Sequence, residues 1–199
     1  IKVDTDPENM LPSDASVRVF HNAVKKEFAI YEMVVLGVVN KQHQEGVFNP
    51  KTLTKVYEIT EKIKKIDGVI AYEIVAPSTK DNIEQESLGA VRFKWLMDSP
   101  PKTQEEANFI RQEALDHPMF QGSVVADNGK MLIIYVPIEK KDLSYEVAQA
   151  IREILNQYQG EEEYHITGLP VANDQFGVEM FKQMAISAPG AMVAIFLLM

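Results

Sequence analysis

A mixed α+β sandwich is the fold class this sequence predicts, and three observations predict it. Strand-like and helix-like segments alternate along the chain, and one Asn-Gly pair sits between two apolar runs, as in a tight hairpin. The composition, 46% hydrophobic and 25% charged over 199 residues, has the balance of a globular domain with one well-buried core. A further feature stands apart from the sandwich. After Lys182 no charged side chain occurs again, and residues 188–199 are almost wholly apolar.

Residues 4–12 read as an extended, turn-rich entry, because Pro7 and Pro12 have no amide hydrogen to give to a ladder. The alternating acids there resemble a calcium loop, but Asn9 stands where such a loop needs Gly and Ala15 where it needs Glu, which excludes calcium. Ser13 or Asp14 is placed to cap a helix whose Val17, Phe20, Val24 and Phe28 recur on one face. Residues 33–39 form a continuous β-branched run, the pattern of a buried strand. Asn49-Pro50 opens a second helix with the stripe Leu53, Val56, Ile59, Ile63 and Ile66, which Asp67-Gly68 ends. Residues 69–75 follow as a strand, so a βαβ unit is expected, its strands parallel and its crossover right-handed.

Beyond Ala76 the pattern is that of an insertion. Val91, Phe93, Trp95 and Met97 alternate with Arg92 and Lys94, as in a short strand or an extended arm, and Pro100-Pro101 ends it. Thr103 and Glu106 form a capping box for a helix carrying Ala107, Ile110 and Leu115, stopped at His117-Pro118. Residues 123–127 and 130–136 flank Asn128-Gly129 and predict a hairpin on a two-residue type I′ turn. A helix from Asp142 or Ser144 turns Val147, Ala148, Ile151, Ile154, Leu155 and Tyr158 inward. Glu161-Glu162-Glu163 reads as a solvated turn, and residues 164–167 as the last strand. Strand, helix, strand, inserted arm and helix, hairpin, helix, strand describes a ferredoxin-like βαββαβ sandwich with a helical insertion and helices on one face, over residues 1–183.

Residues 184–199 read as the start of a membrane helix. A complete span needs roughly 20 apolar residues, and hydrophobicity is still rising at Met199, so the helix is expected to continue past it. The alternative is a terminal helix docked into a soluble core. Against that, the run has no polar face from Ala188 onward and follows the polar residues 173–182, as a helix leaving an aqueous domain would.

A net charge of −9 without clustered Lys and Arg argues against a nucleic-acid surface. The absence of cysteine excludes disulfides and thiolate chemistry. The first residues have neither the basic nor the apolar region of a signal peptide, so an export signal or first span is expected upstream. His21, His43, His117 and His165 show no metal spacing, and the glycines form no phosphate or dinucleotide pattern. No serine stands on a nucleophile elbow, and no carboxylate pair is marked out by spacing. Neither enzymatic activity nor a cofactor is expected. Phe93, Trp95, Met97, Met119 and Phe120 place large, soft side chains on irregular connections, where they either line an adaptable apolar groove or cap the core.

Three segments carry a resemblance: residues 3–7 through Leu11-Pro12, residues 118–130 around Asn128-Gly129, and Thr167-Gly168-Leu169-Pro170-Val171 running into Ala188-Pro189. In that order and spacing the chain resembles the first extracytoplasmic loop of a resistance-nodulation-division (RND) superfamily exporter, of the MmpL-like, hydrophobe- and lipid-exporting branch. The resemblance covers essentially all 199 residues. It implies a ferredoxin-like periplasmic porter domain on the inner (cytoplasmic) membrane, handling hydrophobic or lipid-like molecules for a proton-driven exporter. Its partners would be the membrane and the rest of the same transporter chain, and it leaves room for further copies in a homo-oligomer. The family's proton-relay acids lie in later membrane helices, so no residue here takes that role. A membrane-anchored scaffold that transports nothing is the alternative, and a soluble enzyme whose tail is core is a third.

Overall fold

The computed structural model describes residues 11–79, 81–87 and 90–198, with the backbone alone at 81–87, 90–94, 178 and 193; the expected entry before Leu11 lies outside them. In chain order the elements are α1 (Ser16–Glu27), β1 (Glu32–Val39), α2 (Pro50–Ile63), β2 (Asp81–Ser87), β3 (Ala90–Trp95), α3 (Gln104–Asp116), β4 (Met131–Ile138), α4 (Ser144–Leu155), β5 (Glu163–Thr167) and α5 (Leu169–Leu198). Strands β4, β1 and β5 form an antiparallel sheet in that order, and β2 and β3 form a separate antiparallel ribbon. The chain is therefore a mixed helix-and-strand fold with a three-stranded sheet.

Sheet and helices meet through period-two and period-3.6 stripes. Val34, Leu36 and Val38 of β1 lie opposite Val136, Ile134 and Leu132 of β4, and all six are buried. Over them pack Leu53, Val56, Ile59 and Ile63 of α2 and Val147, Ala148, Ile151 and Leu155 of α4. Each such side chain contributes about 1.5–3 kcal/mol on burial. Val35, Gly37, Ile133 and Tyr135 turn to the other face and are only half covered, so β1 is buried on one face rather than two. The α2 stripe holds as expected. Its amino end is closed by Asn49, whose side chain accepts the Thr52 amide at 2.9 Å, with Pro50 in the first turn. At α3, the Thr103 side chain accepts the Glu106 amide at 3.2 Å.

Three local expectations need correction. Residues 69–75 are not a continuous strand: bridges at Val69 to Ile138 and Val75 to Tyr135 join them antiparallel to β4, and a 3-10 turn at Ala71–Glu73 interrupts them. They run in the same sense as β1, but β4 stands between. Ile70 and Ile74 are buried while Tyr72 between them is 79% exposed, so the face that a straight strand would turn inward is broken at the turn. The Asn-Gly turn also shifts by one residue. The Gly129 amide bonds to the Ala126 carbonyl at 2.8 Å and only Gly129 has a positive φ, 67°, so Asp127 and Asn128 occupy the turn and glycine follows it. Residues 123–127 consequently touch β4 through isolated bonds rather than a full ladder. Finally, neither Ser13 nor Asp14 caps α1; Ala15 precedes it with no side-chain bond.

The start of β1 and the start of α5 lie at one pole. Gly168, at φ 129°, joins β5 to α5, and a Cβ there would lie 2.3 Å from the Met33 carbonyl oxygen, which only glycine avoids. The first turns of α5 pack on α4, where Val171 is buried and Asp174 accepts the Ser144 hydroxyl. From Glu179 to Leu198 every described side chain is exposed. A helix of 30 residues reaches about 45 Å at 1.5 Å per residue, so most of α5 extends beyond the sandwich. At the same pole α1 enters β1 through Ala29, a non-glycine residue at φ 48°, with the Ile30 amide bonded back to the Lys25 carbonyl at 2.9 Å. No residue of α1 is buried.

Candidate functional site

Met97 places the candidate site. Its amide donates to the Pro77 carbonyl at 2.9 Å, pinning the chain after β3 to the body, and the Trp95 amide donates to the Asp98 carboxylate at 3.2 Å. The loop so fixed faces α3 across a cleft of about 390 Å³, within the roughly 300–1,000 Å³ of small-molecule sites. Leu96, Met97, Phe109 and Ile110 supply its apolar lining, and Asp98, Lys102 and Glu106 its charged groups. The Glu106 carboxylate is already engaged by the Lys102 amide at 2.6 Å.

The five residues expected from the sequence separate. Met97 lines the cleft but is only 1% exposed, whereas Trp95, 46% exposed, precedes the lining residue Leu96 without lining the cleft itself. Phe120 is buried and stacks on the His117 ring at 4.2 Å, so it serves the core, while Met119 beside it is 75% exposed. The side chain of Phe93 lies outside the described residues. Phe109 and Ile110 also belong to the cleft; Ile110 was legible only as part of a helix stripe, and Phe109 carried no signal of its own.

The cleft and α5 lie at opposite poles. Gln104 of α3 donates to the Phe48 carbonyl at 2.8 Å, and Arg111 pairs with Glu45 at 2.9 Å, both beyond the end of β1. The start of β1 adjoins Gly168 and α5.

A buried ion pair escapes the sequence reading altogether. Glu162, expected in a solvated turn, is buried; its carboxylate accepts Lys55 at 2.6 Å and the Thr52 hydroxyl at 2.7 Å. Asn49 and Asn40 complete the network through Thr52 Oγ1, at 2.9 and 3.3 Å. Burial works to raise the Glu162 pKa, but the bonds from Lys55, Thr52 and backbone outweigh it and hold the carboxyl below its usual range. A carboxylate so held is a poor proton acceptor, and the cluster acts as a tie between β5 and α2. Beside it the Tyr164 hydroxyl, buried and without a partner among the described residues, is pushed up to about 12 by burial and then by the Glu162 charge. No signal in the sequence distinguishes Glu162 from its two neighbours.

Among the described residues no group of three or more His, Asp or Glu is arranged to hold a metal ion. One helix, α5, is long and apolar enough to cross a membrane, and none of its most apolar stretch is buried. Pro189 lies inside it, a residue that spanning helices tolerate better than soluble ones. No family model matches the chain, and no curated protein matches it.

Proposed function

We propose that this chain is the substrate-handling porter domain of a proton-driven RND-type exporter of lipids or other hydrophobic molecules, held on the periplasmic side of the inner membrane by α5. The observation that carries the reading is the contrast between a sandwich with a closed core and an apolar helix that leaves it with no covering. An exposed apolar surface of that extent calls for lipid or a partner. The chain enters and leaves the sheet at one pole, as a loop between two spans does. With residues 69–75 outside β4, the order (69–75)-β4-β1-β5 supports a ferredoxin-like sandwich whose second strand is broken.

The Met97 cleft, at the pole away from α5, is the proposed cargo contact: lined by buried Leu96, Met97 and Ile110 and by exposed Asp98 and Lys102, it suits an amphipathic molecule with a chain and a polar head. Trp95 is the only tryptophan and, one residue before the lining Leu96, reports on the neighbourhood of the cleft. The α5 helix has no acid after Glu179, so proton coupling falls to other membrane helices of the transporter. Titration with a single-chain lipid is expected to shift Trp95 emission to the blue, and Phe109→Gln is expected to weaken the shift. An unchanged spectrum with every lipid, in protein that still floats with vesicles, would leave the membrane-anchored scaffold as the better reading.

A further inference from the structure

The helix α1 is amphipathic, and its apolar stripe is left uncovered by the described residues. Val17, Phe20 and Phe28 are 70%, 71% and 69% exposed, and with Val24 they form one stripe along 12 residues. The same helix carries Arg18, Lys25 and Lys26 against Glu27 alone, a cationic segment in a chain of net charge −9. Lys25 pairs with Glu32 at the start of β1, and the left-handed turn at Ala29 fixes the direction in which α1 leaves the sheet. That exit is at the pole from which α5 emerges.

We propose that α1 lies flat in the surface of the bilayer that α5 enters, its Val17, Phe20, Val24 and Phe28 stripe among the acyl chains and its basic flank on anionic phospholipid headgroups. Apolar face, cationic flank and position beside a spanning helix are the three properties an interfacial helix requires. The rest of the domain is acidic and is repelled by such a surface, so α1 is the contact that sets the height and tilt of the sandwich above the membrane. This rests on the membrane reading of α5, and its test separates the two.

The chain contains no cysteine, so single labels are clean. Full chain carrying Val17→Cys, Phe20→Cys, Lys26→Cys or Met192→Cys, each with an environment-sensitive fluorophore, is reconstituted into phosphatidylcholine vesicles containing phosphatidylglycerol. Labels at 17 and 20 are expected to shift to the blue and to be quenched by lipid-borne nitroxide about 5–10 Å below the headgroups. The label at 26, on the basic flank, is not quenched by a nitroxide among the acyl chains, and that at 192 is quenched only by a deep nitroxide. A deep label at 192 with labels 17 and 20 in water overturns the proposal and leaves α5 in the membrane. So does shielding of 17 and 20 from water without quenching by lipid, which would mean a second copy or another part of the transporter covers the stripe. A label at 192 that remains in water overturns both readings together.

Discussion

α2 and α1 carry the same kind of apolar stripe and meet opposite environments. In α2, Leu53, Val56, Ile59 and Ile63 are sealed beneath the sheet; in α1, Val17, Phe20 and Phe28 face outward. The amphipathic pattern commits a helix to a partner without naming it. For α2 the partner is β1 and β4, within the same fold. For α1 and the far part of α5 no described residue of the sandwich supplies it, and on the proposed reading both helices meet the same bilayer.

Substitutions can break that comparison, beginning with the core. Ile59→Ala is expected to cost about 2–5 kcal/mol of unfolding free energy, whereas Phe20→Ala should stay within about 0.5 kcal/mol, both by urea denaturation of detergent-solubilised chain. A large cost at Phe20 would mean that α1 packs on the domain after all. At the pole where the two helices leave, Gly168→Ala forces a Cβ against the Met33 carbonyl and should destabilise by more than the about 0.4–1 kcal/mol that the same change contributes where the backbone tolerates it.

The tie between β5 and α2 sharpens the same contrast with a charge. Glu162→Gln should cost about 1.5–3 kcal/mol, the range for hydrogen bonds to a charged group. Because the folded carboxyl titrates below its unfolded value of about 4.3, its contribution is present above that pH. It is lost as pH falls through the lower folded value, so the variant should flatten the acid limb of the stability curve. Equal acid sensitivity in the variant would show that other carboxylates govern that limb. The smallest effect is expected at Tyr164→Phe, which removes a buried hydroxyl that has no partner among the described residues. The variant should match or exceed the parent by less than about 1 kcal/mol, and a clear loss would reveal a bond that Tyr164 makes.

How far the sequence could be read follows from where the information lies. Periodicity placed α2, α4, β1 and β4 because each buries one stripe in the common core, and Asn49 with Pro50 marked a helix start that the structure uses. Residues 69–75 misled because their apolar content comes from a chain edge that bonds β4 at only two points. Asn128-Gly129 marked the reversal but not its geometry, since one positive φ was needed rather than two. The cleft was half legible: Met97 stood out, whereas Ile110 read as an ordinary helix position and Phe109 was not singled out. Glu162 was hidden, because its partners Lys55 and Thr52 are more than a hundred residues away along the chain.

The central claim is that the sandwich is complete without the tail and that the tail belongs in lipid. Flotation with phospholipid vesicles and thermal unfolding, measured on the full chain and on a chain ended at Lys182, test it most directly. The full chain should float, and the shortened one should stay in solution with an unchanged unfolding midpoint. A shortened chain that unfolds at lower temperature or aggregates, while the full chain remains monodisperse without lipid, would place residues 183–199 in the core and contradict the account.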